Sequence, residues 1–391
     1  MIYRVSELCE INNNSLKKGD NPEFINYLDT SNLTEGKIKE IVRLDPKIDK
    51  IPSRAKRVPI QNDILYSTVR PNQLHYGFID KPIKNLICST GFAVLSPNEK
   101  VNPYYLYKYL TQKNVIEYLQ GVAETSTSTY PSIKPSDIAS LEINLPPLLE
   151  QKAIANILSS LDDKIELNNK INKNLEELAQ TIYKRWFVDF EFPNEDGEPY
   201  KSSGGEMIEG ELGLIPKGWE DKKLSDVIKI SYGKNFPTKN LHDKGYPVFG
   251  GNGIIGYAKK YLYKEPKVLV SCRGAASGGV LVSLEKSFVT NNSLVLEDNE
   301  DMTFEYLKEF SLNRKFNDFV SGSAQPQVTI TSINNCKILM PSINILLQYS
   351  NFLKPLNVKI EKYYYENLKL VEIRDILLPK LMSGEIEVPY E

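Results

Sequence analysis

The sequence predicts an α/β (α+β) protein in which two mixed globular domains are separated by a pair of long helices. Two observations predict this fold class. The chain repeats itself at a long interval, and each repeat combines short β-rich runs with one long amphipathic helical pattern. The 391 residues suffice for about two to three domains with more than one hydrophobic core.

The internal repeat is clearest where residues 146–187 match residues 341–382. An offset of 195 residues pairs Ile165 with Ile360, and this offset holds without a gap over the whole segment. Farther upstream the match is looser. The chain is therefore interpreted as module, helix, module, helix.

Apolar residues in both helical segments recur at steps of three and four, which is the spacing of a coiled-coil stripe. Asn172 and Asn367 interrupt the two stripes at equivalent places, and polar seam residues usually fix the register of a helix pair. Two unrelated amphipathic helices on separate cores would show similar periodicity, but the equivalent asparagines favour helices that pack on each other. The predicted seam comprises Ile154, Leu158, Leu161, Ile165, Asn172, Leu175, Ile182, Leu353, Leu356, Ile360, Asn367, Leu370 and Leu377.

The sequence also predicts where the domains and their elements lie. The globular domains are 1–145 and 218–340, the helical regions are 146–190 and 341–391, and the linker, rich in Gly, Pro, Ser and acids, is 191–217. Strands are predicted at 63–67, 92–95, 267–271 and 279–282, and one short helix per domain at 103–120 and 303–320. Pro355 is predicted to break or kink the second long helix, because proline lacks the backbone N–H and clashes with the preceding turn.

The loops of both domains combine short hydrogen-bonding side chains with isolated basic residues. Base edges require this chemistry, since Arg pairs with guanine and Asn or Gln with adenine, while Ser and Thr bind phosphates. Polar turns have a similar composition in many proteins, so recurrence in both domains is what favours a DNA-binding set. The candidates are Ser67, Thr68, Arg70, Asn72, Gln73, Thr127, Ser128 and Tyr130 in the first domain, and Lys234, Asn235, Asn252, Ser271, Arg273, Asn291, Asn292, Gln325 and Gln327 in the second.

The formal net charge of −2 neither favours nor opposes a nucleic-acid partner, so the distribution of charge matters more. Residues 37–57 form a locally basic stretch that either contacts nucleic acid or is a solvated loop. No apolar run approaches the roughly 20 residues of a membrane-spanning helix, and the N-terminus lacks a signal-peptide pattern. The four cysteines have no C-x-x-C spacing, so the sequence predicts a cytoplasmic protein without a disulfide framework or zinc site.

Several motifs resemble catalytic sites in letters only. Gly251-x-Gly253-x-x-Gly256 fits a dinucleotide-binding fingerprint, but a strand is predicted to follow it instead of a helix. The chain has no Walker A loop and no Asn-Pro-Pro-aromatic motif of the kind that amino-methyltransferases use. The acidic pairs interpreted as solvated helix faces are Asp162/Asp163 and Glu176/Glu177. The sequence therefore predicts a non-catalytic chain with no metal site and no cofactor of its own.

Three segments carry a resemblance to a known family. Glu150–Asn168 resembles the central repeat of type I restriction–modification specificity (S) subunits, and Pro379–Ile386 resembles the end of their distal repeat. Gly218–Glu220 followed by Lys223–Val227 is similar to the usual opening of their second target-recognition domain. The resemblance covers the whole chain, because order, duplication and spacing all agree.

This resemblance implies two DNA-recognition domains that each read one half of a split site in double-stranded DNA. It implies that the two helices pair antiparallel, with pseudo-twofold symmetry, and act as a ruler for the unread spacer. The implied partners are two modification subunits that methylate adenine with S-adenosylmethionine, and restriction/translocase subunits that use ATP and Mg²⁺. A coiled-coil adaptor without sequence-specific DNA binding is the alternative, and a self-sufficient methyltransferase is disfavoured by the missing motifs.

Overall fold

The computed structural model describes residues 1–17, 19–20, 22–125, 130–322 and 324–389. The chain divides into two compact units. We define the first unit as Met1–Glu166 together with the chain from Leu368 onward, and the second unit as Leu167–Asn367. Within the described ranges, no helix is both long and apolar enough to cross a membrane.

The first unit contains a β-rich module followed by short helices. Its strands are β1 (Ile2–Arg4), β2 (Cys9–Ile11), β3 (Ile25–Leu28), β4 (Leu33–Thr34), β5 (Lys37–Ile38), β6 (Val42–Leu44), β7 (Ala55–Arg57), β8 (Ile64–Ser67), β9 (Tyr76–Phe78), β10 (Leu86–Ser89), β11 (Phe92–Pro97) and β12 (Glu142–Asn144). Its helices are α1 (Val5–Leu8), α2 (Pro103–Leu110), α3 (Lys113–Glu124) and α4 (Pro135–Ala139), and the long helix α5 (Leu148–Phe187) begins in it. Short 3-10 turns lie at Thr30–Asn32 and Pro71–Gln73.

The main sheet of the first unit has the strand order β2-β11-β8-β9 and is antiparallel throughout. A second sheet, β6-β3-β10-β7, pairs β10 parallel to β3 and antiparallel to β7. All four residues of β8 are buried, because the strand has a core on each face. Ile64 and Tyr66 face the helices, while Leu65 packs toward the second sheet with Leu28 and Leu86.

The second unit repeats this arrangement. Its strands are β13 (Met207–Gly210), β14 (Gly213–Pro216), β15 (Glu220–Lys223), β16 (Lys229–Tyr232), β17 (Tyr246–Gly250), β18 (Gly253–Ala258), β19 (Val268–Ser271), β20 (Val280–Val282), β21 (Phe288–Val289), β22 (Ser293–Glu297) and β23 (Lys337–Met340). Its helices are α6 (Leu224–Val227), α7 (Phe304–Arg314) and α8 (Ile330–Asn334), with the long helix α9 (Ile343–Ser383) beginning in it. Further 3-10 turns lie at Thr238–Asn240 and Asn317–Phe319.

The sheet orders confirm the internal repeat. The main sheet of the second unit, β16-β22-β19-β20, matches β2-β11-β8-β9 strand for strand, and the pair β15-β23 matches β1-β12. In β19, Val268 and Val270 face the helices, while Leu269 packs on the second sheet with Phe249. That second sheet, β18-β17-β21, has a parallel β17–β21 pair like β3–β10, but it has no counterpart of β7 among the described strands.

The two long helices pack on each other, as predicted. In the first unit, Leu158 near the start of α5 shares a core with Leu381 near the end of α9. In the second unit, Tyr183 near the end of α5 shares a core with Tyr349 near the start of α9. Early residues of one helix therefore meet late residues of the other in each unit, so the pair is antiparallel.

Two predictions about helices are corrected. Of the break or kink predicted at Pro355, the break is wrong, because α9 is one helix from Ile343 to Ser383; the kink stays a prediction. Pro355 and Asn351, whose carbonyl loses its N–H partner to the proline, are both exposed, so water can replace the missing hydrogen bond. The single helix predicted at 103–120 is two helices, α2 and α3, separated at Thr111 and Gln112.

The segment predicted as a linker, 191–217, contains the β13–β14 hairpin. Before the hairpin, the buried Phe192 ring stacks on Trp219 at 4.8 Å and on Tyr200 at 4.6 Å between ring centroids. Aromatic burial of this kind stabilises a chain segment against its neighbours. The part of this segment around Phe192 is thus attached to the core of the second unit.

Candidate nucleic-acid interface

In the first unit, three backbone hydrogen bonds gather loops at one edge of the main sheet. The Thr68 N–H donates to the Gly91 carbonyl, the Arg70 N–H to the Pro131 carbonyl, and the Ile133 N–H to the Thr68 carbonyl, each at 2.9 Å. These bonds tie the loop after β8 to the turn before β11 and to the segment before α4. We call this pattern the loop frame.

The second unit has the same loop frame. The Cys272 N–H donates to the Asn292 carbonyl (2.9 Å), the Gly274 N–H to the Pro326 carbonyl (3.0 Å), and the Val328 N–H to the Cys272 carbonyl (3.1 Å). Cys272 therefore takes the place of Thr68, and Gly274 the place of Arg70. The candidate loops chosen from composition lie at the equivalent edge of both units.

In the first unit, the candidate side chains differ in how they are placed. The hydroxyls of Ser67 and Thr68 donate to the backbone carbonyls of Val69 and Gly91. Ser67 is only 2% exposed. The candidates that line an open cleft are Arg70, Gln73 and Tyr130. Asn72 is exposed, and its backbone N–H donates to Gln120. Thr127 and Ser128 lie outside the described residues.

In the second unit, most candidates reach the surface. The exposed ones are Lys234, Asn235, Asn252, Arg273, Asn292, Gln325 and Gln327, and Asn291 is partly buried. Ser271 is 1% exposed, and a Cβ added to Gly251 would lie 2.9 Å from its hydroxyl oxygen. Ser271 is thus placed to pack against the Gly250–Gly251 turn and not to reach solvent.

Two of these loops approach closely at a buried glycine, Gly233. The Lys234 N–H donates to the Val289 carbonyl and the Asn291 N–H donates to the Lys234 carbonyl. Directly before them, a Cβ on the buried Gly233 would lie 2.2 Å from the Thr290 carbonyl oxygen. No side chain rearrangement can relieve this contact, because the obstacle is backbone.

We expect Gly233→Ala to destabilise the second unit by about 1–3 kcal/mol, since the loops must move apart to admit the methyl group. Urea unfolding of the purified chain measures the loss. Gly121→Ala on α3 is the control: a Cβ there meets nothing within 4 Å, so alanine should be neutral or stabilising by up to about 1 kcal/mol. Equal stability of Gly233→Ala and the unsubstituted chain would contradict the close packing.

A layer of asparagines joins the long helices. Asn168 Nδ2 donates to Asn367 Oδ1 and Asn367 Nδ2 donates to Asn169 Oδ1, both at 2.9 Å, and Asn172 Nδ2 donates to the Ile360 carbonyl at 3.1 Å. Asn168 is fully buried. Slipping the helices would leave buried amides unpaired, so this layer fixes their register. Every seam residue predicted from the sequence is buried or partly buried.

In the first unit, a partly buried charge network centred on Asp162 joins α5 to α2 and α9. Its carboxylate accepts from Lys108 Nζ (2.6 Å) on α2, from Arg374 Nη1 (2.8 Å) on α9 and from the Tyr104 hydroxyl (2.5 Å). Burial would raise the pKa of Asp162, but Lys108, Tyr104 and Arg374 outweigh burial and lower it. The interpretation of Asp162 as part of a solvated helix face is therefore wrong, while its neighbour Asp163 is exposed.

The glycine-rich fingerprint lies in a β-hairpin. Gly251 is in the turn between β17 and β18, and Gly253 and Gly256 belong to β18 itself. No helix follows this turn, so its N–H groups are not arranged around a helix start as in a dinucleotide site. In the described part of the chain, no group of three or more His, Cys, Asp or Glu side chains could hold a metal ion.

The fold and the loop geometry define a protein with two copies of one module. Comparison with known protein families identifies the family to which it belongs. The family model described as the type I restriction modification DNA specificity domain matches residues 1–177 and again 216–370, so the chain belongs to this family. It is 30% identical to the HindI specificity subunit of Haemophilus influenzae, over 87% of this chain and 90% of that protein. The MjaIX specificity subunit of Methanocaldococcus jannaschii is 31% identical, over 80% of this chain and 76% of that protein.

A solved structure shares the fold. The S subunit of a type I restriction-modification system from M. genitalium superposes with a TM-score of 0.57 at 18% identity, covering 97% of this chain and 95% of that one. Family membership supports a role in DNA sequence recognition.

Arg54 is a basic residue of this edge that the candidate set omitted. It lies just before β7, and its carbonyl accepts from the Thr90 N–H at 2.8 Å, which brings Arg54 to the same cleft as Arg70. The sequence placed Arg54 only within the basic stretch 37–57. The eight basic residues of that stretch are exposed except Arg57, which is partly buried.

Proposed function

We propose that this chain is the non-catalytic specificity subunit of a type I restriction-modification complex and reads a bipartite site in double-stranded DNA. The observation that carries this proposal is the loop frame, which presents polar and basic side chains at the equivalent edge of both units. Two copies of one recognition edge suit a target made of two short half-sites. Arg, Asn and Gln on these loops supply the donors and acceptors that base edges require.

In this proposal the long helices set the unread spacer and carry the partners. The partners are two modification subunits, which methylate the N6 amine of adenine with S-adenosylmethionine, and restriction/translocase subunits, which use ATP and Mg²⁺. The chain itself holds no cofactor and works in the cytoplasm. The asparagine layer and the Asp162 network support this role, because a ruler requires a fixed register and firmly attached ends.

The test is methylome sequencing of a host that expresses this chain with its cognate modification subunit. We expect a new methyl-adenine motif made of two short defined parts separated by a fixed gap. The same host carrying the modification subunit alone is the control and should lack the motif. Binding of the assembled complex to a duplex carrying the motif should weaken steeply with salt, since phosphate contacts release counterions.

An assembled complex that leaves no new motif and binds all duplexes equally would exclude sequence recognition. Salt-insensitive or absent DNA binding by that complex would instead support the alternative of a coiled-coil adaptor. Binding of S-adenosylmethionine to the isolated chain would contradict the non-catalytic assignment.

A further inference from the structure

The first unit carries an open cleft of about 440 Å³ at its loop edge. The described residues that line it are Arg54, Val69, Arg70, Gln73, Tyr130 and Ser132, and none of them is acidic. Two guanidinium groups without an acidic neighbour in the lining favour a ligand rich in hydrogen-bond acceptors.

The main chain holds Arg70 in a fixed and uncommon conformation. Its φ of 48° and ψ of 72° place it in the left-handed region, which residues other than glycine seldom adopt. The Arg70 N–H donates to the Pro131 carbonyl, and the Arg70 carbonyl accepts from the Gln73 N–H at 2.8 Å. A strained backbone that the surroundings hold in place is typical of a functional position.

The side chain of Arg70 is positioned as well. Its guanidinium carbon lies 5.1 Å from the centroid of the Tyr130 ring, within the range of a cation–π contact. Tyr130 is 59% exposed, so the pair lies at the surface. Stacking on the ring restricts the rotamers of the arginine, which lowers the entropy lost when its donors bind a planar partner.

The second unit lacks this arrangement. By the loop frame, Gly274 occupies the place of Arg70, and Arg273 occupies the place of Val69. In place of β7, the described part of its second sheet has only an antiparallel bridge between Tyr263 and Ser287. The bond that holds Arg54 is replaced by one from the Asn291 N–H to the Lys234 carbonyl, so a lysine takes the place of Arg54. The pair of arginines at this edge is therefore a feature of the first unit.

We propose that Arg70 reads a guanine in the half-site bound by the first unit, with Tyr130 as its positioning residue. The inference rests on the proposed function. Guanine presents its O6 and N7 acceptors side by side in the major groove, and the two parallel donors of a guanidinium match them. A phosphate could accept from the same donors, but it carries no sequence information.

The test compares Arg70→Lys and Arg70→Gly in the full chain, assembled with the cognate modification subunit. Lysine keeps the positive charge but lacks the two parallel N–H donors of the guanidinium, and glycine readily adopts the left-handed backbone conformation of Arg70. We expect one guanine of one half of the methylated motif to become degenerate, while the other half stays unchanged. The ratio of affinities for the cognate duplex and a duplex changed at that base should fall about 10- to 100-fold in Arg70→Gly. It should fall less in Arg70→Lys, since an ammonium can still donate to O6 or N7.

Replacing that guanine by 7-deazaguanine supplies a second readout, because it removes the N7 acceptor. The analogue should weaken binding by the unsubstituted chain about 10-fold and leave Arg70→Gly unaffected. Arg43→Ala is the matched control, since Arg43 also stacks on a ring, that of Phe24 at 3.7 Å, but does not line the cleft. It should retain the full motif.

Tyr130 tests the positioning role. Tyr130→Phe keeps the ring and should retain the preference for guanine, whereas Tyr130→Ala should reduce that preference several-fold. If both variants keep the preference for guanine, Tyr130 has no positioning role.

The contrary results are distinct. A loss of affinity equal for all sequences, with a shallower salt dependence, would make Arg70 a phosphate contact and overturn the inference while sparing the proposed function. An unchanged motif in Arg70→Gly would overturn it as well. If the unsubstituted complex shows no bipartite motif, the proposed function fails and the inference fails with it. Thermal melting of each variant verifies that the chain is folded.

Discussion

Duplicating seven residues in each long helix is expected to lengthen the spacer between the half-sites by about three base pairs without altering either half-site. The segments are 167–173 of α5 and 362–368 of α9, which lie 195 residues apart and contain the asparagine layer. Seven residues add about 10 Å of helix, and base pairs rise 3.4 Å. Seven residues are also about two helical turns, so the apolar seam stays on one face and the two helices can still pack along their length.

Duplication keeps every polar contact of the seam, because Asn168, Asn172 and Asn367 each occur twice in the new pair. The readout is the methyl-adenine motif of a host expressing the variant with its modification subunit. Duplicating the α5 segment alone is the control. Helices of unequal length cannot keep their packing in both units, so we expect this variant not to assemble with the modification subunit. A matched duplication that assembles and keeps the original gap would show that the helices do not set the spacer.

What the sequence could predict was local. Apolar residues at steps of three and four predicted the helix seam, and short β-rich runs located β8, β11, β19 and β20. The runs are clearest in β8 and β19, because burial on both faces requires continuous apolar residues. The loops of the loop frame were also located, since composition alone marks them as polar turns.

What the sequence could not predict depends on distant partners. Asp162 looks like one more acid on a polar helix face, but its partner Arg374 lies 212 residues away. Ser271 is of a residue type that binds DNA and lies in a polar loop, yet it is buried against Gly251. Arg54 joins the cleft only because β7 pairs with β10, a pairing that no local pattern encodes.

Asp162→Asn is expected to destabilise the first unit by about 2 kcal/mol, between the values for a surface pair and a fully buried pair. The substitution removes the charge that compensates Lys108, whose side chain is 9% exposed, and Arg374. Removing the carboxylate leaves the buried Lys108 ammonium uncompensated, which costs more than the loss of a surface ion pair. Hydrogen exchange of peptides from α2 and the end of α9 should accelerate, while peptides from the second-unit sheet should exchange as before.

Asp163→Asn is the matched control, because Asp163 is the exposed neighbour on the same helix. It should change stability by no more than about 0.5 kcal/mol. Equal losses in the two variants would mean that the Asp162 network contributes nothing beyond a surface charge.

The pH dependence follows from the direction of the shift. The pKa of Asp162 in the folded chain is lower than its ordinary value of 3.8, so the folded state holds the carboxylate ionised more strongly than the unfolded state does. The stabilisation is fully present above that ordinary value and is lost as the pH falls through the lowered pKa. The stability difference between the unsubstituted chain and Asp162→Asn should therefore be constant from about pH 5 to 8 and shrink below about pH 4. Measuring this difference cancels the titration of the other carboxylates, and a difference that grew on acidification would contradict the ion-pair network.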